Sequence, residues 1–348
     1  MSNIIVSPHR LSTLAGMQIL KSGGNAIDAA IATNIVQGVV APETCGIGGD
    51  LFALIWINGE TKPYCLDSSG YAGSNVDISS LSSYSDIPLD HPMSVTVPGA
   101  VRGWYAMHER FGNLEMKQLF NQAIEICLKG FEVSTELHQS LKSHEETLKI
   151  QESGQELYPS GKVPDVGDTI KRTLLAETLK SISLKGPDYF YKGELNEAMS
   201  KALHNTITKN DISNFQSQWI DPLSMEMYGK TGWVTPPHTQ SYLTLATLKI
   251  YEMLDSGSKH IDLHTLIESY RAAASQRDDI TYDYGNNIDL FPGLNIEYLK
   301  SLSDLIDLDN SSIFDQPADI GGGTAYMCTK DKDGNAVSLI QSNYYGIG

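Results

Sequence analysis

From Ala26 to Val40 the chain has helical character but almost no polar surface: Ala26, Ile27, Ala29, Ala30, Ile31 and Ala32 leave most sides of the helix small and apolar. A helix of this kind has to be buried rather than laid on a surface. Its ends are legible. Gly23-Gly24 stops a preceding amphipathic helix over Ser12 to Ser22, Asn25 is placed to cap the buried one, and Pro42 ends it. Burying such a helix takes a sizeable core, and 348 residues provide for one large or two closely packed domains.

Further along, Leu51 to Ile57 reads as a strand, Asn58-Gly59 as a hairpin turn, and Thr61 to Leu66 as the returning strand. Helical spacing recurs from Val101 to Arg110 and from Leu119 to Lys129, with Gly130 as a carboxyl-terminal cap. Residues 134–209 are helical and polar. A loop at Thr235-Pro236-Pro237 precedes helical patterns at Tyr242 to Leu254 and Leu263 to Arg277. The last segment is β again: Thr324 to Lys330, a turn over 331–335, then Ala336 to Gln341 as a hairpin.

The first residue of that hairpin carries the chemistry. Gly321-Gly322-Gly323-Thr324 sets one hydroxyl directly after three residues without side chains. A threonine there can attack the carbonyl of the peptide bond before it. Once that bond is cut, the same residue holds a free α-amine, so nucleophile and general base arrive together. The plain alternative is a glycine loop entering a strand that opens on threonine.

Composition narrows the partners. Lys and Arg total 25 against 42 for Asp and Glu, a formal charge of -17, which argues against nucleic acid or an anionic membrane surface. Cys45, Cys65, Cys127 and Cys328 lack metal-ligand or redox spacing and read as small buried residues. The amino terminus lacks signal-peptide character and no apolar run approaches the ~20 residues of a membrane span, so a cytoplasmic setting is expected. Gly46, Gly48 and Gly49 precede a strand, not the helix that a dinucleotide fingerprint requires. His108-Glu109 and His144-Glu145 lack a second histidine four residues on, and read as solvated helix positions rather than metal ligands. No G-x-S-x-G elbow occurs. No metal and no cofactor are expected.

Several segments, in order, resemble the γ-glutamyltranspeptidase family. They are Gly23-Gly24-Asn25-Ala26-Ile27-Asp28-Ala29-Ala30, Pro42 with Gly46-Ile47-Gly48-Gly49, Val97-Pro98-Gly99-Ala100, Phe111-Gly112, Gly130-Phe131-Glu132-Val133 and Asp333-Gly334-Asn335-Ala336-Val337-Ser338. The resemblance implies an α/β (α+β) fold, the four-layer αββα sandwich of amino-terminal-nucleophile hydrolases, with extra helices in the large-subunit part. It implies a precursor cut between Gly323 and Thr324. Residues 1–323 would be large-subunit-like, and 324–348 the first hairpin of the small-subunit-like region, cut short. Thr324 would be the nucleophile, with Ser342 and Asn343 at the family's supporting positions. The glycines that donate to the oxyanion would lie beyond Gly348. The implied substrate is a small amide, glutathione or a relative of it, and the implied partnership a large/small subunit heterodimer that could assemble further.

The departures are specific. Ser69 and Gly70 stand where the family has an Arg-Glu pair whose arginine holds the substrate carboxylate, so a different acyl group is expected. Lys62, Arg102 and Arg110 could replace that anchor, though a surface ion pair is the simpler role for each. Ala325 and Tyr326 also differ from the usual residues after the nucleophile. A family member that has lost catalysis and serves as a scaffold is therefore the rival reading.

Overall fold

The computed structural model describes residues 2–82, 84, 87–89, 91–151, 154–255, 257, 260–314 and 323–347. Gly321 and Gly322 of the glycine run lie outside them. The chain forms two compact units, one of Met1–Lys62, Leu66–Trp219 and Gly321–Gly348, the other of Pro63–Cys65 and Ile220–Ile320. Residues on both sides of the 323–324 bond belong to the first unit, within one strand.

A six-stranded sheet organises the first unit, in the order Ile4–Val6, Gly323–Lys330, Ala336–Tyr344, Leu51–Trp56, Tyr64–Ser68, Gln218–Ile220. The two strands of the carboxyl-terminal hairpin pair antiparallel over nearly their full length. Ile4–Val6 pairs only with Cys328 to Lys330, so it stops short of the Thr324 end of its neighbour. The strand that carries Thr324 thus has a strand on both sides only at its Cys328 to Lys330 end.

The Ala26–Val40 helix is buried along its whole length, as its composition demands. Asn25 accepts the amides of Ile27 and Asp28 in a capping box that is closed by the Asp28 carboxylate. That carboxylate also receives the backbone amides of Asn113 and Leu114, at 3.1 Å each for the nearer oxygens. The helix start is tied to the hairpin as well. The Ala26 amide donates to Asp331 in the hairpin turn at 3.1 Å, and the Thr329 hydroxyl donates to the Ala26 carbonyl at 2.7 Å. These bonds explain how Asp28 and Thr329 can be buried without a desolvation cost left open.

Several local readings shift. The strand after Asn58-Gly59 resumes at Tyr64 rather than Thr61, while Gly59 takes the left-handed backbone (φ +94°) expected of the turn. The last long helical pattern breaks into Leu263–Ala274 and a short turn, Arg277–Ile280. His108 and His144 are half-buried and bonded, not solvated: one ring nitrogen of His108 lies 2.6 Å from the Leu114 carbonyl, and Nδ1 of His144 lies 2.8 Å from that of Ser140. All four cysteines are free thiols, three buried and Cys328 half-buried.

In the second unit, a two-stranded ribbon, Leu223–Met227 with Lys230–Val234, packs with helices Tyr242–Leu254, Leu263–Ala274 and Ile296–Ser303. Its core gathers Tyr242, Ile250, Ala272, Phe291 and Leu299. The helical patterns read at Tyr242 to Leu254 and Leu263 to Arg277 account for the first two of these helices, while the ribbon and the Ile296–Ser303 helix were not singled out from the sequence.

Candidate active site

Thr324 is the second residue of its strand, after Gly323, and lies opposite Ser342 in the hairpin. Its hydroxyl oxygen is 3.0 Å from that of Ser342. The Ser342 hydroxyl in turn donates to the carbonyl oxygen of Gly323 at 2.9 Å, and the Tyr344 amide donates to the Ser342 oxygen at 2.8 Å. A hydroxyl has one proton and two lone pairs. With its proton on the Gly323 carbonyl and one lone pair facing the Tyr344 amide, the Ser342 oxygen has one lone pair left for the Thr324 hydroxyl. The three bonds are satisfied together in a single direction, from Thr324 to Ser342 to the Gly323 carbonyl.

Local irregularity makes this possible. Ser342 pairs with Thr324, but the next registered pair is Tyr344 with Gly323, so Asn343 sits in a bulge. Bulges re-aim side chains beside active sites. Asn343 donates from Nδ2 to the Pro42 carbonyl at 3.2 Å, which joins the bulge to the loop after the buried helix. Its structural partner is thus Pro42, while Ser342 is the residue that meets Thr324.

Two glycines are dictated by close approach. A Cβ on Gly323 would lie 2.2 Å from the Glu43 carbonyl oxygen, and one on Gly49 would lie 2.2 Å from that of Ser342. The residue before Thr324 is held to glycine by packing against the Glu43 backbone. Behind it, Gln341 accepts from Asn34 of the buried helix at 2.9 Å and donates to the Gly46 carbonyl. The Trp104 indole donates to Asn34 at 2.6 Å.

The ionisable groups that act on one another here are acidic. Burial pushes the Glu43 carboxyl up to about 7, with Glu136 adding to the effect. Burial likewise pushes Asp50 up to about 7, Asp67 adding and a hydrogen bond from Ser342 opposing. The Cys45 thiol is pushed up to about 12 by burial and stays neutral. Glu43, Asp50, Asn34 and Gln341 were not singled out from the sequence. The available signal was a lone acid, Asp50, between a glycine turn and an apolar strand.

Ser69 follows the strand Tyr64–Ser68. Its amide donates to Asp67 at 2.9 Å and its carbonyl accepts from the Thr96 hydroxyl at 3.2 Å. Gly70 has φ +85°, and a Cβ there would lie 1.9 Å from the Val97 carbonyl oxygen. No side chain fits at Gly70 without moving that backbone. Arg102 makes an ion pair with Asp188 at 3.6 Å and lies 4.5 Å over the Tyr191 ring. Arg110 stacks instead, 4.5 Å over Trp219. Ala325 is fully buried, and Tyr326 points outward with its hydroxyl 3.0 Å from that of Ser338.

The chain is similar to known proteins over most of its length. The family model described as Gamma-glutamyltranspeptidase matches residues 12–348. The glutathione hydrolase-like YwrD proenzyme of Bacillus subtilis is 32% identical, over 99% of this chain and 67% of that protein. The oxamate amidohydrolase proenzyme of Klebsiella pneumoniae is also 32% identical, with the same coverage of 99% and 67%. The chain thus spans about two thirds of the length of these relatives. Among solved structures, cephalosporin acylase from Bacillus halodurans superposes with a TM-score of 0.87 at 28% identity, over all of this chain and 68% of the other. Helicobacter pylori γ-glutamyltranspeptidase gives 0.77 at 25% identity, over 88% and 92%. The mixed α/β fold expected from the sequence is the one these structures share.

Proposed function

Because the chain belongs to the gamma-glutamyltranspeptidase family, we propose that it is part of a self-processing amidohydrolase or acyltransferase that cuts at Gly323-Thr324 and then uses Thr324 as nucleophile. The observation that carries this reading is the relay from the Thr324 hydroxyl through Ser342 to the Gly323 carbonyl. As Thr324 Oγ1 bonds to the Gly323 carbonyl carbon, its proton passes to Ser342, whose own proton passes to the carbonyl oxygen. The C–N bond then breaks, nitrogen takes that proton, and an ester remains. Water hydrolyses the ester, leaving a Gly323 carboxylate and a Thr324 with free hydroxyl and amine.

The mature residue works by the same logic. An α-amine has a pKa of roughly 7.7–8.0, near enough to neutrality to take the hydroxyl proton as Thr324 attacks an amide carbon. The amide nitrogen leaves protonated, and water or an amine releases the acyl group. The products of self-cleavage would stay together as large and small subunits, because both hairpin strands are woven into one sheet. A cytoplasmic setting, suited to four free thiols, is part of the proposal.

For the substrate we favour a small amide whose acyl group carries no carboxylate in the γ-glutamyl position. Ser69 cannot supply the two-pronged contact of an arginine, and its amide is already engaged by Asp67. The retained Gly-Thr junction and its hydroxyl partner weigh against a scaffold that has lost catalysis. The test is amine release from chromogenic anilides by purified full-length protein. Uncharged acyl anilides should be hydrolysed by the wild type and not by Thr324→Ala. Equal turnover by both proteins would overturn the proposal.

A further inference from the structure

Asp50 holds Ser342 from the side opposite Thr324. Regular pairing between Ala336–Tyr344 and Leu51–Trp56 runs from Ala336 opposite Trp56 to Ile340 opposite Phe52. Continued by two residues, that register sets Ser342 opposite Asp50. In a regular antiparallel pair the two residues exchange both backbone bonds. Here only half of the exchange is regular: the Asp50 amide donates to the Ser342 carbonyl at 2.9 Å. The Ser342 amide instead donates to the Asp50 carboxylate, Oδ1, at 2.9 Å. A side chain thus completes the ladder at the residue where the opposite edge breaks into the Asn343 bulge.

We propose that Asp50 is a positioning residue for self-scission, its carboxylate fixing the Ser342 backbone so that the Ser342 hydroxyl bridges Thr324 and the Gly323 carbonyl. This rests on the reading of Thr324 as the scission nucleophile. Ser342 is the last regular pair before the bulge, and its amide has the Asp50 carboxylate as partner in place of a strand carbonyl, so the clamp from Asp50 helps set the hydroxyl's direction. Misplacement of a reacting group by about 1 Å can cost roughly 10²-fold in rate. Asp50 itself touches neither Thr324 nor the scissile carbonyl among its hydrogen bonds and acts only through Ser342.

The clamp is sensitive to protonation. Burial is the main reason the Asp50 carboxyl is raised to about 7, with Asp67 from the neighbouring strand adding and the bond from the Ser342 amide opposing. The Cys45 thiol from the preceding loop is neutral and adds no charge. A charged acceptor holds an N–H more strongly than a neutral one. Self-scission should therefore quicken as pH rises through about 7. Before cleavage residue 324 has no free amine, so the group that gives later turnover its own pH dependence is absent.

The experiment follows scission of the full-length precursor, made by cell-free translation and shifted into buffers of different pH, on denaturing gels. Wild type should show a rate limb centred near pH 7. Asp50→Asn keeps a neutral acceptor, so it should lose that limb and cut about tenfold more slowly at high pH. Asp50→Ala should be slower by roughly 10²-fold. A wild type that cuts at one rate across the neutral range overturns the proposal without any variant. So does an Asp50→Asn profile that matches wild type. A wild type that never cuts overturns this inference together with the nucleophile reading, whereas the first two outcomes leave the latter standing.

Discussion

Asn34 and Gln341, far apart in sequence, share a buried hydrogen bond of 2.9 Å between their side-chain amides. Gln341 precedes Ser342, and its own amide group reaches the Gly46 carbonyl, while Asn34 receives the Trp104 indole. One polar chain thereby joins the buried helix, the Ala100–Phe111 helix, the glycine loop and the Thr324 hairpin. Asn34→Leu should strand both the indole N–H and the Gln341 oxygen. Each unsatisfied buried group costs about 1–3 kcal/mol, so denaturant titration should show a loss of that order or more.

Ser342 is predicted to contribute chiefly to rate. Removing a single donor to a developing oxyanion costs roughly 10²–10³-fold, and Ser342→Ala also removes the proton acceptor for Thr324. Ser342→Thr keeps the hydroxyl and should retain most of the self-scission rate. Time courses of fragment appearance compare the two.

The 323 position should tolerate no side chain. Gly323→Ala drives a Cβ to 2.2 Å from the Glu43 carbonyl, whereas a Cβ on Gly48 meets nothing within 4 Å. Overpacking of this kind costs roughly 1–3 kcal/mol, and surface changes away from such features stay within about 0.5 kcal/mol. Thermal unfolding of Gly323→Ala and Gly48→Ala should differ accordingly, with scission slowed in the first.

Stability should fall as pH rises toward neutrality. Glu43 and Asp50 titrate near 7 in the folded protein, above their ordinary values of 4.5 and 3.8. The folded state then binds more protons than the unfolded one across that interval. Their contribution is full below the ordinary values and is lost as pH climbs to about 7. Melting curves of Glu43→Gln should show a smaller decline between pH about 5 and 7 than wild type.

Donors bearing a carboxylate should be poor. The Ser69 amide already donates to the Asp67 carboxylate, so a substrate carboxylate brought to Ser69 would face a like charge. γ-Glutamyl anilide should turn over more slowly than an uncharged acyl anilide of similar size, and masking its α-carboxylate should raise the rate.

Much of this could be read locally. The Ala26–Val40 helix, its Asn25 cap and the Gly130 cap each depend on neighbours a few residues away, and the structure has them as expected. The terminal hairpin was equally plain, from its alternation and its 331–335 turn. What escaped depended on distance. Nothing in the sequence around Asp50 states that its carboxylate will meet Ser342, and the polar residues of the buried helix were hidden among alanines and isoleucines. That glycine at 323 packs against the Glu43 backbone emerged only from the fold. The strand after Asn58-Gly59 began late because Thr61 to Pro63 extend the turn.

The most direct measurement is intact-mass and amino-terminal analysis of purified full-length protein. The account predicts two chains, the smaller beginning at Thr324, and a single uncut chain for Thr324→Ala. A wild type that stays uncut on prolonged incubation at neutral pH, or one cut elsewhere, would contradict it.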